Sequence, residues 1–267
     1  MKNKLVGSVL SPVHLAKTKQ EEQSQEEFIA GITHEMRSPL TAINMALYLL
    51  AMEKGLGDGP KNMLNAAMRN SERLGSIITD ILDFSRLRSG RLVFRLESVS
   101  VEEIIKEASD AMKAWATSKG ISLSLAAEPG LGRVYADKRR TVQILINLIS
   151  NAIKFTPSGG AIEVGACSGT ETLAGFIFFL VKDNGCGIEK EDQGRIFEKY
   201  TQVGAGEQMG GAGLGLAVTK DMALMQGGSI TVESEPSKGA TFRVSLPVYR
   251  GQLERQVPDL EKSDKTN

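Results

Sequence analysis

The stretch Phe28–Leu50, FIAGITHEMRSPLTAINMALYLL, decides how the chain begins to fold. Apolar residues recur there at Phe28, Ile32, Met36, Leu40, Ile43, Leu47 and Leu50, in steps of four and three. That spacing marks an α-helix with one buried stripe. At about 100° per residue these positions fall within roughly 120° of arc, and His34 lies roughly 180° from its centre. The helix therefore buries one side and turns a histidine outward, with Glu35 beside it and Arg37 and Ser38 one turn on. A carboxylate next to an imidazole can orient it or take its proton, which sets His34 apart from an ordinary surface histidine. Pro39 lies inside the same pattern. It cannot donate to the carbonyl of Glu35, so a bend is expected there.

The helix is expected to run from about Glu21 to Lys54, after a polar lead-in over residues 1–20. Three glycines and a proline in Gly55–Pro60 then break the chain. A second helical pattern runs from Lys61 to about Ser89, with Leu64, Ala67, Leu74, Ile77, Ile78, Ile81 and Phe84 or Leu87 as its apolar face. Two long helices joined by a short turn make an antiparallel hairpin, here residues 21–90. A hairpin with one stripe per helix cannot cover itself. A second copy solves this as a dimeric four-helix bundle; packing on the rest of the same chain is the alternative.

Beyond Ser89-Gly90 the pattern changes to short strands mixed with helices, over residues 91–249. Strands are expected at Leu92–Leu96, Ile121–Leu125, Arg133–Ala136, Ala161–Ala166 and Phe176–Asp183. Helices are expected at Val101–Ser118 and, capped by Asp137, up to Lys154. The order implies an α+β two-layer sandwich, with helices on one face of a mixed sheet. The charged tail, 250–267, reads as disordered.

Composition narrows the function. Lys plus Arg equals Asp plus Glu, 32 each, so no global basic field favours nucleic acid. Two cysteines, Cys167 and Cys186, are too few for a disulfide scaffold and fit a reducing cytosol. The apolar run Gly175–Val181 is too short to span a bilayer, and no signal peptide stands at the N-terminus. The expectation is a cytoplasmic protein without a membrane span.

Four segments of the second half carry candidate chemistry. In Asn147-Leu-Ile-Ser-Asn151-Ala-Ile-Lys154-Phe155, the two asparagines are four apart and share a helix face. Their neutral amide oxygens suit a hard cation already held by phosphates, Lys154 reaches the same anion, and Phe155 can cover an aromatic ring. In Asp183-Asn-Gly185-Cys-Gly187-Ile188, a buried strand delivers an aspartate, and two glycines let backbone approach a ligand. In Gly210-Gly211-Ala-Gly213-Leu214-Gly215-Leu216, glycines crowd the start of a helix expected over Leu214–Met225, where free amides and the helix dipole favour phosphate. No strand leads into these glycines, which argues against a dinucleotide turn and for a lid formed by Thr201–Met209. The fourth segment, Lys238–Pro247, is a terminal strand in which Thr241 stands near a phosphate or simply packs.

Taken together, these motifs resemble the catalytic core of a two-component sensor histidine kinase. HEMRSPL resembles the family's phospho-acceptor box and NLISNAIKFTP its asparagine box. DNGCGI and GGAGLGLAV resemble its two glycine boxes, with IFEKYTQ, the phenylalanine box, between them. The resemblance runs from about Gln25 to Val248. It implies a dimeric hairpin followed by an ATP-binding domain of the histidine-kinase/gyrase type. It also implies ATP and Mg2+ as ligands, and a response-regulator receiver domain as partner. Position by position, His34 resembles the nucleophile, Glu35 the acid that accepts its proton, and Ser38 a hydroxyl able to orient a water. Asn151 resembles the magnesium ligand with Asn147 close by, Lys154 the phosphate-contacting lysine and Phe155 the ring beside adenine. Asp183 resembles the acceptor for the adenine amino group, and Gly185 and Gly187 the glycines that admit the purine. Gly211, Gly213 and Gly215, with Leu214 among them, resemble the phosphate cradle. Because His34 and the nucleotide segments fall in different domains, Ser89–Leu92 is expected to act as a hinge.

Some positions depart from the family pattern. Ser38 stands where threonine or asparagine is commoner. Gln202 replaces a frequent arginine, and Val203–Met209 carries no lysine or arginine. The lid without basic residues motivates a second reading, a degenerate kinase that senses nucleotide or docks a regulator. A third reading, a gyrase-type ATPase, needs a glutamate near the asparagine box, and Glu103 and Glu107 stand far upstream.

Overall fold

The structure is a computed structural model that describes residues 36, 39–52, 57–88, 92–170, 173–204 and 213–251, with the side chains of residues 58, 69, 72, 73, 76, 80 and 88 left aside. The chain divides into two compact units. The first comprises residues up to Val93 with Glu198–Gln202 and Gly206–Val218; the second comprises Phe94–Phe197, Val203–Ala205 and Thr219 onward.

In the first unit, α1 covers residues 39–52 and α2 covers Asp58–Arg88. Helix α2 starts three residues earlier than its pattern implies, with the Lys61 amide donating to the Gly57 carbonyl at 3.1 Å. Pro60 lies in this first turn, where a missing N–H costs nothing. Leu40 is buried and faces Gly75: a Cβ there would stand 3.2 Å from Leu40 Cδ2. The inner line of α2 runs through Ser71, Gly75, Ile78, Leu82 and Ser85, all buried except half-buried Gly75. Within the single chain the apolar stripe expected from sequence stays largely uncovered. Of that set only Ile78 is buried, whereas Leu74 is 41 % exposed and Leu64, Ile77, Ile81, Phe84 and Leu87 are half-buried. On α1, Ile43 and Leu50 are about half exposed, at 50 % and 52 %. Phe28, Ile32 and the segment expected to bend at Pro39 lie outside the described residues, apart from Pro39 itself.

The second unit is a two-layer α+β sandwich. Its elements are β1 (Glu97–Ser100), α3 (Val101–Ser118), β2 (Ser122–Ala127), β3 (Arg133–Ala136), α4 (Lys138–Phe155), β4 (Ala161–Ser168), β5 (Phe176–Asp183), β6 (Ser229–Glu235) and β7 (Gly239–Pro247). Between β5 and β6 the chain also forms α5 (Gly215–Leu224), whose last turns belong to this unit. The main sheet has order β2-β4-β5-β7-β6, with β2 and β4 parallel and the other pairs antiparallel. Strands β1 and β3 form a separate antiparallel pair. Alternation sets the buried face: Ile162, Val164 and Ala166 of β4, Ile177, Phe179 and Val181 of β5, and Phe242, Val244 and Leu246 of β7. Ile104, Ile105 and Ala108 of α3, with Leu145, Leu148, Ile149 and Ile153 of α4, complete the core.

Caps fix the helix starts. Ser100 accepts from the Glu103 amide, and Asp137 accepts from the Arg140 amide at 3.0 Å. The strand expected at Leu92–Leu96 does not form. Residues 92–96 are irregular, because the Arg95 amide donates to Asp137 Oδ2 at 2.9 Å instead of entering a ladder. Strand β6 was not foreseen. Its sequence, SITVESE, has only two apolar side chains, and it lies at the sheet edge. Among the described residues no helix is long and apolar enough to cross a membrane. The tail beyond Gly251 and the lead-in 1–20 lie outside the described residues.

Candidate functional site

Helix α4 buries one face, through Thr141, Val142, Ile144, Leu145, Leu148, Ile149, Ala152 and Ile153. The helical repeat leaves Asn147, Asn151 and Lys154 together on a half-buried edge, with Phe155 ending the helix. The Asn147 amide nitrogen donates to Thr219 Oγ1 of α5 at 2.6 Å. Its oxygen has no protein donor among the described residues, and neither end of the Asn151 amide has a partner there.

Strand β5 ends at Asp183, which is 8 % exposed. Its Oδ1 accepts from the amides of Gly185, at 2.9 Å, and Ala240, at 3.3 Å. Oδ2 meets no protein donor among the described residues. Burial raises the pKa of this carboxyl above the ordinary aspartate value, and the two amide hydrogen bonds pull the other way. The turn that follows is tied to the end of α4, since the Cys186 amide donates to the Phe155 carbonyl at 3.3 Å. The asparagine helix and the first glycine turn thus meet in one place.

Two glycines here answer to the protein's own backbone. At Gly187, φ is +72° and a Cβ would run into the Glu235 carbonyl. At Gly239, φ is +87° and a Cβ would run into the Asp183 carbonyl. Sequence reading assigned Gly187 to ligand access and did not single out Gly239. Yet Gly239 packs on the backbone that presents Asp183, and its neighbour Ala240 holds the carboxylate. A Gly239→Ala protein is expected to lose about 2 kcal/mol or more of stability. Thermal melting checks this; a variant that melts as wild type would show the contact is dispensable.

Residues that sequence reasoning missed brace the same turn. Ser234 Oγ accepts from the Ile188 amide at 2.8 Å and donates to the Gly239 carbonyl at 2.6 Å. Gln193 Nε2 donates to the carbonyls of Ile188, at 3.1 Å, and Ser234, at 2.8 Å. Nothing in the spacing of these polar residues marks them, since they meet only when β6 pairs with β7. Thr241 is half-buried in the ladder, opposite Lys182 and Glu233.

The first unit holds the second glycine segment. The Gly213 carbonyl accepts from the Tyr200 amide at 2.9 Å, Leu214 is buried, and its carbonyl caps α5 by accepting from the Val218 amide at 2.9 Å. Gly215 begins the helix one residue later than expected. In the same unit Phe84 stacks edge-on against Tyr200, with ring centroids 6.4 Å apart, and Lys199 Nζ stands 4.8 Å from the Phe84 ring centre. His34, Glu35, Ser38 and Gly211 lie outside the described residues.

Glu103 and Glu107 do not approach the asparagine pair. Both carboxylates pair with Lys138, at 3.5 and 3.1 Å, thirteen residues or about 20 Å along α4 from Asn151.

Residues 24–90 match the His Kinase A (phospho-acceptor) domain, and residues 136–250 match the histidine kinase-, DNA gyrase B- and HSP90-like ATPase family. The Non-motile and phage-resistance protein of Caulobacter vibrioides is 35% identical over 231 residues, covering 85% of this chain and 27% of that protein. The Sensor-like histidine kinase SenX3 of Mycolicibacterium smegmatis is 32% identical over 230 residues, covering 85% of this chain and 59% of that protein. The chain thus spans less than two thirds of the length of these relatives. Full-length ShkA, crystallised in complex with AMPPNP, superposes with a TM-score of 0.65 at 30% identity, covering 84% of this chain and 46% of ShkA. A phospho-acceptor domain followed in one chain by this ATPase domain, with named sensor histidine kinases matching most of its length, makes the chain a member of the two-component sensor histidine kinase family, whose catalytic core it carries.

Proposed function

We propose that the chain is an ATP-dependent protein-histidine kinase. Residues 21–90 act as its dimerisation and phospho-acceptor hairpin and residues 91–249 as its catalytic domain, working in the cytoplasm without contacting nucleic acid. The observation that carries the reading is Asp183. A buried carboxylate is held by two amides through one oxygen and offers the other as an acceptor, which suits the amino group of adenine. Phe155 flanks the base, with Gly185 and Gly187 shaping the turn beneath it. Lys154 and the amides around Gly211, Gly213, Leu214 and Gly215 receive the phosphates.

The donor set fits magnesium. Asn147 and Asn151 offer neutral oxygens on one helix edge, and Mg2+ takes one or two protein ligands beside phosphate oxygens. Asn151 is the ligand, with Asn147 close by. Bound there, the ion neutralises charge on the phosphates.

The chain's own residues do the rest. His34, as neutral imidazole, attacks the γ-phosphorus. A nitrogen–phosphorus bond forms, the bond to the bridging oxygen breaks, and ADP leaves with that electron pair. The ring proton passes to Glu35. The phosphoryl group then moves to an aspartate of a response-regulator receiver domain, with Ser38 one turn from His34 as a hydroxyl able to orient a water.

Incubation with γ-labelled ATP and Mg2+ tests this. The expected product is a labelled chain whose label is lost in acid and kept in base. ATP binding without any such label favours the degenerate, nucleotide-sensing reading, which the lid without basic residues motivates.

The hairpin is expected to pair with a second copy. Ile43, Leu50 and Leu74 leave apolar surface uncovered, and a four-helix bundle buries it. Replacing Ile43 and Leu74 together by glutamate is expected to convert dimer to monomer at micromolar concentration. Sedimentation equilibrium reads the mass, and an unchanged mass would count against the bundle.

A further inference from the structure

Among the described polar residues outside the two glycine segments, Thr219 makes a contact that packing alone does not require. It lies on α5 at 2 % exposure, among apolar neighbours Val218, Met222 and Ala223. A threonine in a helix commonly returns its hydroxyl to the carbonyl four residues back. Here the hydroxyl instead receives the Asn147 amide nitrogen at 2.6 Å, joining α5 to α4 across 72 residues of sequence.

An asparagine amide has a donor end and an acceptor end of nearly equal size, and a cation can use only the oxygen. Pinning the nitrogen on Thr219 leaves the oxygen of Asn147 as the free end. That oxygen lies on the helix edge that also carries Asn151 and Lys154.

We propose that Thr219 is a positioning residue of the nucleotide site, which turns the Asn147 amide so that its oxygen faces the cation accompanying the bound triphosphate. This rests on the kinase reading above. Thr219 touches neither nucleotide nor metal. Its contribution is orientation: the amide need not be ordered when the cation arrives, and its donor end is kept away from positive charge. Polarisation by the cation then strengthens the same hydrogen bond.

The test is the affinity of the full chain for ATP, measured once with Mg2+ and once with EDTA, for wild type, Thr219→Val, Thr219→Ala and Thr219→Ser. Valine keeps the shape and removes the acceptor; serine restores the hydroxyl. In wild type, Mg2+ is expected to strengthen binding. In Thr219→Val and Thr219→Ala that strengthening falls about fivefold, while affinity in EDTA stays as in wild type. Thr219→Ser regains the wild-type response.

Equal losses with and without Mg2+ would make Thr219 a packing residue and overturn the proposal. So would full magnesium strengthening in both hydroxyl-free variants, or none in wild type. Should the valine variant melt early, alanine and serine carry the comparison. A wild-type chain that binds no ATP under either condition overturns the kinase reading instead.

Discussion

A His34→Gln protein is expected to show no acid-labile labelling from ATP, a fall of at least about a thousandfold, with ATP affinity unchanged. Glutamine keeps much of the size and polarity of histidine but has no nucleophilic nitrogen. Free imidazole, with a pKa of about 6.5, is largely neutral at pH 7 and therefore has a lone pair to offer. Phosphoryl transfer asks the protein mainly for position and charge neutralisation, and the residues proposed for both, Asn151, Lys154 and the glycine amides, are untouched by the change. Binding and labelling should therefore separate cleanly. His14 is the other histidine of the chain, so His14→Gln is the matched control and should label as wild type. Label that persists in the His34 variant would move the nucleophile elsewhere. Steady ATP turnover in that variant would bring back the gyrase-type ATPase.

How much of this was legible in the sequence follows from the range of the interactions. Helices α3 and α4 were legible because a cap and a 3.6-residue repeat are local: Asp137 marks a start that the structure keeps, and Val101–Ser118 keeps its expected bounds. Strand β5 was legible because it carries a run of apolar residues between breaks, and β3 because its short alternation follows a glycine break. The Leu92–Leu96 segment has the alternation of a strand, yet a carboxylate 42 residues away takes the Arg95 amide, and no local pattern announces that. Strand β6 hides for the opposite reason, being polar and at an edge. In the candidate site, Asn147, Asn151 and Asp183 stood out because their residue types and spacing imply chemistry. Gly239, Ser234 and Thr219 did not, because each acts through a partner supplied by tertiary structure. The buried Ser71 and Ser85 of α2 were not singled out either, since hydrophobicity alone looks past small polar side chains.

Asp183→Asn is expected to weaken ATP binding about a hundredfold while leaving the fold at least as stable at neutral pH. The site needs two acceptors on one side chain. Oδ1 faces inward, to the Gly185 and Ala240 amides, and Oδ2 is the end proposed for the adenine amino group. An amide has one acceptor. With its oxygen inward, an NH2 group confronts the adenine amino group; turned over, it confronts the two backbone amides. Either way two donors meet. Stability should move in the other direction. Burial raises the Asp183 pKa in the folded chain above its ordinary value of 3.8. As pH climbs from that value, the unfolded chain ionises first, so stability falls until pH passes the raised value and stays lower above it. Asparagine carries no such charge. The variant should therefore gain on wild type as pH rises through that window and lose the gain in acid. Wild-type ATP binding should weaken on acidification at a higher pH than an ordinary aspartate would give, because a protonated Oδ2 is no longer a full acceptor. Melting curves across pH, with binding measured alongside, read both effects. ATP affinity within about threefold of wild type in the variant would remove Asp183 from the site, and a variant less stable than wild type at neutral pH would contradict the burial argument.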